Sequence, residues 1–288
     1  METIGPDICG VSEQFAIISP LESTHTEADL AIGQRFTATF SEEAPWKIIL
    51  KGKTSGAVKT ISGTGRELDV VWNGSTDTVY FFRKEPVTTY LQIPCRTPIS
   101  GPEFKITALG IPVKSGDLLI SDFEDSNYWT YSFNADAPEH YYADTNKIFP
   151  PEGLQSYHWY GTDKDNNYLM GQITSKDLTS PLPSLPADKV YLNIYIKGGP
   201  GSRLDIRLFE GTGTSGPNWT AVVNVDWSGW KLVSVKLSDF DPSGNTTTSL
   251  IPDKIGKVRL MLKASKPGGH SDIYMDYLVI TGNYPFQP

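Results

Sequence analysis

Residues 119–129 read LISDFEDSNYW, a short strand-like alternation that carries three carboxylates, Asp122, Glu124 and Asp125. Because successive side chains of a strand point to opposite faces, Asp122 and Glu124 share one face, while Phe123 points to the other, into a core. A charged strand end beside a core admits three interpretations: an active site, a metal site or a solvated strand end. The choice among them depends on what the rest of the chain places beside this stretch.

The rest of the chain repeats a β pattern almost throughout. Short runs rich in β-branched and aromatic residues, such as RFTATF (35–40) and KVYLNIYIKG (189–198), alternate with clusters of Gly, Pro, Asn, Asp and Ser. This pattern predicts an all-β protein built of two β-sandwich domains. Pro and Gly interrupt it in LGIPVKSG (109–116). We therefore predict a tail over residues 1–11, a sandwich over 12–110 and a larger sandwich over 113–288.

Composition narrows the classes of partner. The formal charge of −8 argues against nucleic acid and anionic membrane surfaces, since both select for basic patches. No apolar run approaches the ~20 residues that span a bilayer. The opening METIGPDICGVSE lacks the basic and apolar regions of a signal peptide, so the protein is expected to be cytosolic or to have lost a leader. Cys9 and Cys95 either form one disulfide or remain two separate thiols.

Three segments of the second domain together resemble the galactose-binding-like jelly rolls of many carbohydrate-binding modules. They are DFED (122–125), the central WKLVSVKLSDF (230–240), and a closing pair formed by KVRLMLK (257–263) and DIYMDYLVITG (272–282). In the first domain, WKIILKGKTSGAVKTISGTG (46–65) followed by VVWNG (70–74) looks like an immunoglobulin-like domain. The resemblance implies an immunoglobulin-like sandwich followed by a jelly roll.

This combination resembles the glycan-binding or adhesin-like lipoproteins of Bacteroidetes outer surfaces. The resemblance implies export to the cell surface, the outer membrane or the periplasm, with membrane contact only through a lipid anchor. Cys9 is a poor candidate for the lipidated residue, because ETIGPDIC lacks the apolar stretch that precedes such a site. The anchor is therefore expected to lie outside this sequence.

The resemblance also implies a structural calcium ion. In the resembling modules the first and last strands are neighbours, and the ion lies at their edge. Glu124 and Asp276, helped by Asp122 or by nearby carbonyls, are the predicted ligands, with Asp272 a weaker addition; calcium binds six to eight oxygens. The alternative is a solvated strand end without metal. A carboxylate inside the apolar run DIYMDYLVI favours the ion, because an unpaired buried charge is costly.

Aromatic side chains are the candidates for sugar binding, because their rings stack on the apolar C–H faces of sugars. The richest cluster lies in GLQSYHWYGTDKDNNY (153–168), and EHYYADTN (139–146) and SGPNWT (215–220) lie near turns. The predicted ligand contacts are Trp159, Tyr160, Tyr157, His158, Trp219 and Tyr142, with Tyr141 as a neighbour. The alternative for the main cluster is that Tyr157 and Trp159 pack in the core while His158 and Tyr160 point outward, or the reverse. Trp227 and Trp230 are predicted to pack in the core or at a turn.

The sequence contains no motif that clearly indicates catalysis. Glycoside hydrolysis needs two acids facing each other, ~5 Å or ~6.5–9.5 Å apart, and nothing in the sequence places an acid opposite Asp122 and Glu124. The GxGxxG match at 211–216 leads into another β pattern, not into the helix that would bind a pyrophosphate. The four histidines form no zinc-binding spacing.

The sequence therefore predicts a non-catalytic protein that binds a polysaccharide or oligosaccharide, expected to be a monomer. A structural or adhesive surface protein that binds other proteins is the first alternative. A glycoside hydrolase, or an accessory domain of one, is the second.

Overall fold

A computed structural model describes residues 10–109, 116–133, 139–144, 148–163 and 169–287. The chain divides into two compact units, Met1–Pro112 and Val113–Gln287. The sequence-based boundary near 109–116 falls at this division. The all-β class is confirmed: the described residues contain strands and three short 3-10 turns, at Ala187–Lys189, Leu237–Asp239 and Pro252–Lys254. No helix in the described part of the chain is long and apolar enough to span a membrane.

The first unit contains one seven-stranded sheet, in which the path β1-β3-β5-β7-β2 is extended by β4 beside β3 and β6 beside β5. Most pairs are antiparallel, and β2 and β7 are parallel. Its strands are β1 (Ile17–Ser23), β2 (Glu27–Asp29), β3 (Gln34–Gly52), β4 (Val58–Trp72), β5 (Pro86–Gln92), β6 (Ile99–Ser100) and β7 (Phe104–Ala108). An immunoglobulin-like sandwich consists of two packed sheets, whereas the described strands of this unit all join one connected sheet. The immunoglobulin-like assignment of this unit therefore stays a prediction.

Strand β3 organises this unit, because it is 19 residues long and pairs with β1, β4 and β5. Its alternate residues Phe36, Ile48 and Leu50 have no exposed surface and build the core. Trp46 lies opposite Gly63 of β4, and its indole passes over that glycine. A Cβ at position 63 would lie 2.2 Å from Trp46 Cζ2, so only glycine fits there.

Replacing Gly63 by alanine is therefore expected to destabilise the first unit by about 1–3 kcal/mol, the usual cost of overpacking a filled core. Urea unfolding followed by tryptophan fluorescence measures the change. Ser62→Ala, at the exposed neighbouring position, is the matched control and should change the free energy of unfolding by less than about 0.5 kcal/mol. Equal stability of the two variants would show that Trp46 moves aside without cost.

The second unit is a sandwich of two six-stranded sheets. The first, here called the β19 sheet, has the order β10-β11-β19-β13-β16 with β8 beside β19; the second, the β18 sheet, has the order β17-β15-β14-β18-β12-β9. The strands are β8 (Leu118–Ser121), β9 (Trp129–Phe133), β10 (Glu139–Asp144), β11 (Gln155–Thr162), β12 (Leu169–Ser175), β13 (Val190–Gly198), β14 (Ser202–Glu210), β15 (Asn218–Val225), β16 (Trp230–Lys236), β17 (Asp241–Ser243), β18 (Ile255–Ala264) and β19 (His270–Gly282).

The core of this unit lies between the two sheets. Apolar residues of alternate positions meet there, from the β19 sheet (Trp159, Ile273 and Ile196) and from the β18 sheet (Ile206 and Leu260). Strand β8 lies antiparallel beside β19, so the opening and closing strands are neighbours, as the resemblance implies. The stretch that follows β8 leaves the strand at once: Phe123 has a φ of 59° and buries its ring in the core.

Cys95 is disulfide-bonded. It occupies a left-handed position with a φ of 57°, after the end of β5. Cys9, the partner proposed from the sequence, lies outside the described residues.

Candidate functional site

One residue from each of five neighbouring strands lies in a single line across the outer face of the β19 sheet. Strand pairing sets Tyr141 opposite His158, His158 opposite Tyr274, Tyr274 opposite Lys197, and Lys197 opposite Trp230. We call these five residues the aromatic row. Neighbouring strands are ~4.8 Å apart, so the row extends for roughly 19 Å across the sheet.

Strand alternation places the row on the outer face. The residues beside its members in sequence, Trp159, Ile273 and Ile196, have no exposed surface and pack in the core. Because side chains alternate along a strand, His158, Tyr274 and Lys197 then point away from the core. Tyr141, Tyr274, Lys197 and Trp230 are partly exposed, and His158 is 5% exposed.

Tyr274 lies at the centre of the row and contacts other members of the row on both sides. The His158 ring stacks on it with ring centroids 3.9 Å apart and planes 11° apart. The indole of Trp230 approaches edge-on at 6.4 Å, and Lys197 Nζ lies 5.4 Å from the centroid of the phenol ring. Tyr141 packs edge-on against His158 at 4.8 Å. These contacts hold the rings in a fixed arrangement, so a ligand that stacks on them loses little side-chain entropy of the protein.

Polar groups border the row on one side. Asp272 Oδ1 lies 2.7 Å from His158 Nε2 and accepts its hydrogen bond, which fixes the ring. Tyr160 stacks on His158 at 5.1 Å. Its phenol is hydrogen-bonded to Glu139, which raises the pKa of Tyr160 to about 12. Burial, together with Tyr141, raises the pKa of Tyr274 to about 12 as well. Both phenols therefore keep their protons at neutral pH, and their oxygens can accept hydrogen bonds from a ligand.

Residues 148–155 border the row on the other side. The Trp230 indole N–H donates to the Phe149 carbonyl at 2.9 Å. The backbone N–H of Glu152 donates to Asp276 Oδ2 at 3.0 Å. Glu124 Oε1 accepts from the backbone N–H groups of Leu154 and Gln155 at 2.6 and 2.7 Å. The carboxylates Glu124 and Asp276 thus hold one segment against the sheet beside the row.

Asp276 is the most unusual carboxylate of the second unit. It has no exposed surface, and its Oδ1 has no hydrogen-bond partner among the described residues. Burial raises its pKa well above the usual range, and the nearby carboxylates of Glu152 and Glu124 raise it further. A buried carboxylate in such surroundings needs a proton or a cation to offset its charge.

Two of the three predicted metal ligands, Glu124 and Asp276, both accept hydrogen bonds from backbone N–H groups of residues 152–155. Asp122 instead caps the turn after β8, where its Oδ1 accepts from the backbone N–H of Glu124 at 3.0 Å. Across the part of the chain that the structure describes, no three His, Cys, Asp or Glu side chains form a group that could hold a metal ion as they stand. Backbone oxygens would therefore have to complete any coordination shell.

The structure places three of the predicted sugar-stacking residues in the core. Trp159 and Tyr157 have no exposed surface, and Trp219 is 1% exposed with its indole N–H bonded to the Thr248 carbonyl at 3.1 Å. Tyr142 is partly buried against the same core, and its hydroxyl lies 3.2 Å from that of Tyr131. Of the alternatives for the main cluster, the structure shows Tyr157 and Trp159 inside and His158 and Tyr160 outside.

Sequence reasoning missed Tyr274 and Lys197 and assigned Trp230 to core or turn packing. Trp227 does pack against the core, with its indole N–H bonded to the Ile196 carbonyl at 3.2 Å, whereas Trp230 lies on the outer face. The signal for Tyr274 was present in HSDIYM (270–275), where Ile273 and Met275 alternate with Asp272 and Tyr274. Which rings share one row depends on strand pairing, which the sequence does not display.

No family model matches the chain, and no curated protein matches it. Among solved structures, it resembles a family 11 carbohydrate-binding module from Clostridium thermocellum, in complex with a beta-1,3-1,4-mixed-linked tetrasaccharide, with 14% identity, a TM-score of 0.43 and coverage of 58% of this chain and 96% of that one. A family 30 module of a Clostridium thermocellum cellulosomal cellulase gives 18% identity, a TM-score of 0.41 and coverage of 58% and 97%. TmCBM61, in complex with beta-1,4-galactotriose, gives 12% identity, a TM-score of 0.32 and coverage of 54% of this chain and 88% of that one. The sandwich of the second unit is established by its own two sheets.

Proposed function

We propose that this protein binds carbohydrate without catalysis and holds a polysaccharide along the aromatic row. The observation that carries the proposal is the line of Tyr141, His158, Tyr274, Lys197 and Trp230, one from each of five adjacent strands. The partly exposed rings of Tyr141, Tyr274 and Trp230 offer stacking surfaces, and the phenols, the ammonium group and Asp272 offer hydrogen bonds to hydroxyl groups. Carbohydrate is also the ligand class of the solved modules named above.

The row suits a polymer better than a single sugar. Its length of roughly 19 Å, given by the strand spacing, provides room for several sugar units in succession. Each unit contributes little by itself, so affinity comes from several contacts made by one chain. We therefore expect measurable retention on polysaccharide and weak binding of monosaccharide.

Affinity gel electrophoresis tests this function directly. The intact chain is run in native gels that contain a neutral β-glucan, a galactan, a xylan or a uronate polymer, with bovine serum albumin as the reference for mobility. We expect at least one gel to retard the protein. Absence of retardation in every gel, with a cooperative thermal melt that shows an intact fold, would favour the structural or adhesive alternative. Release of reducing sugar from any of these polymers would instead favour the enzyme alternative.

We also propose that a structural calcium ion binds beside Asp276. Support comes from the fully buried Asp276, whose Oδ1 has no hydrogen-bond partner in the described part of the chain. Glu124 adds a second carboxylate that, like Asp276, binds backbone N–H groups of residues 152–155. Two carboxylates and backbone carbonyls are oxygen ligands of the kind that calcium prefers. The ion would supply the positive charge that offsets Asp276 and would hold residues 152–155 against the sheet, acting on stability and not on the sugar.

Export to a bacterial cell surface, in a lipid-anchored monomeric form, is part of the same proposal. It follows from the resemblance to the Bacteroidetes surface lipoproteins, and the disulfide at Cys95 supports it, because disulfides persist in oxidising compartments. Protease treatment of intact cells that carry the full-length protein tests the location: a surface protein is digested while the cells remain closed, and a cytosolic one is protected.

A further inference from the structure

The outer face of the β18 sheet, on the opposite side of the sandwich from the aromatic row, places two arginines directly opposite each other. Strand pairing sets Arg207 of β14 against Arg259 of β18. Their sequence neighbours Ile206, Leu208, Val258 and Leu260 pack in the core, so both arginines point outward. Like charges that face each other across a strand pair destabilise a sheet, so this pair requires an explanation.

Threonines on the flanking strands orient both guanidinium groups. Arg207 Nε donates to Thr220 Oγ1 at 2.9 Å, and Arg259 Nε donates to Thr174 Oγ1 at 2.9 Å. Strand pairing places these four residues in one line, Thr174, Arg259, Arg207 and Thr220. The Arg259 guanidinium also lies over the Phe209 ring, with Cζ 4.8 Å from the ring centroid. We call this line the arginine row.

Neither guanidinium group forms a salt bridge within the part of the chain that the structure describes. The other charges of this face are already paired: Lys257 with Asp177, and Asp205 with both Arg203 and Lys263. The only hydrogen bonds from Arg207 and Arg259 side chains to described residues use Nε, so their Nη nitrogens remain available as donors. The arginine row therefore presents two positive charges with fixed orientation, neither of them in a salt bridge with a described residue.

This arrangement has an electrostatic cost that an anion would remove. Both arginines are partly buried, and burial lowers the pKa of each. The positive charge of Arg207 lowers the pKa of Arg259 further, while Asp205 opposes the effect of burial on Arg207. A negatively charged group placed between them would relieve their repulsion and satisfy the free Nη donors.

We propose that Arg207 and Arg259 form a binding site for an oxyanion, either sulfate or phosphate. Two guanidinium groups carry a charge that matches a dianion, and each offers planar N–H donors that fit the oxygens of such groups in pairs. The threonines preorganise the donors, so little side-chain entropy is lost on binding. The oxyanion is either a free ion or an ester group on a glycan, and this site does not depend on the aromatic row.

Isothermal titration of sodium sulfate and sodium phosphate into the intact chain, in chloride buffer of constant ionic strength, tests the site. We expect wild-type protein to bind sulfate or phosphate, and we expect Arg207→Gln and Arg259→Gln each to lower that affinity by about tenfold or more. Lys257→Gln is the matched control, because it removes a cation of the same face two residues from Arg259; its affinity should stay within about twofold of wild type. Thermal melts establish that each variant is folded.

Two results would overturn the proposal: no heat of binding from wild-type protein with either anion, or an equal loss in all three variants, which would show a general charge effect. A second measurement identifies the source of the oxyanion. Retardation in gels with dextran sulfate but not dextran, lost in both arginine variants and kept in Lys257→Gln, supports an ester on a glycan. Binding of the inorganic ions without such retardation supports a free ion. Tyr274→Ala should keep the oxyanion affinity, which separates this site from the proposed sugar site.

Discussion

Replacing Tyr274 by alanine is expected to lower polysaccharide affinity by roughly 30-fold or more, equivalent to about 2 kcal/mol. Tyr274 is the central ring of the aromatic row and contacts His158, Trp230 and Lys197. Its loss removes one stacking surface and also leaves the rings on both sides without support. A central, well-packed aromatic residue with a polar border is the usual location of a binding hot spot. Affinity gel electrophoresis over a range of polysaccharide concentrations measures the change in dissociation constant.

Tyr191→Ala is the matched control for that experiment. Tyr191 and Lys197 lie on the same strand, β13, six residues apart. Because side chains alternate along a strand, both point to the same face, and Tyr191 is the third side chain on that face after Lys197. Its ring contacts Lys236, at 5.9 Å from Nζ to the centroid, and no member of the row. Affinity should stay within about twofold of wild type. If both variants bind as tightly as wild type, the row is not the sugar-binding surface.

Calcium is expected to raise the thermal midpoint of the second unit by roughly 5–10 °C over the midpoint in chelator. The expectation follows from linkage: saturation at about 100 times the dissociation constant adds about 2.7 kcal/mol, and each kcal/mol shifts the midpoint by about 2–4 °C in a domain of this size. In Asp276→Asn the calcium shift should disappear, because the amide carries no charge for the ion to offset. In chelator, that variant should melt at least as high as wild type, since it removes a buried carboxylate.

Asp125→Asn provides the comparison. Asp125 is exposed and directly follows Glu124 in the sequence. Its Oδ1 caps a local turn by accepting from the backbone N–H of Asn127 at 2.9 Å. This variant should keep the calcium shift in full. Scanning calorimetry with and without calcium measures all three proteins, and elemental analysis reports bound metal. A wild-type midpoint that does not respond to calcium or chelator, with no metal found, would contradict the calcium proposal and leave a protonated Asp276.

Much of the fold could be predicted from the sequence, because the relevant information is local. The alternation in KVYLNIYIKG (189–198) indicates a strand whose faces differ, and the structure has β13 over Val190–Gly198. The glycine and proline cluster at 109–116 falls at the division between the two units. The charge at Asp122 and Glu124 marks the end of β8, where the chain turns and Phe123 enters the core.

The sequence leaves the orientation of the main aromatic cluster open, for a physical reason. In QSYHWY, alternation alone permits either pair of aromatic residues to face the core, and the sequence does not decide between them. The structure buries Tyr157 and Trp159, since they meet Ile273, Met275 and residues of the opposite sheet. The richest aromatic cluster therefore divides between a core and a surface, and only His158 and Tyr160 remain on the outer face.

The sequence by itself determined the β class and the pairs of residues that share a strand face, because both depend on neighbouring residues. Tertiary structure alone decided which face is buried and which strands lie side by side. Register between strands that are far apart in sequence brings Tyr274 against His158 and Lys197, and Arg207 against Arg259. Such pairings arise from the packing of two whole sheets, so no local pattern contains them. The role of Glu124 in LISDFEDSNYW is likewise decided by tertiary structure. Together with Asp276 of the distant strand β19, it holds residues 152–155 against the sheet beside the aromatic row.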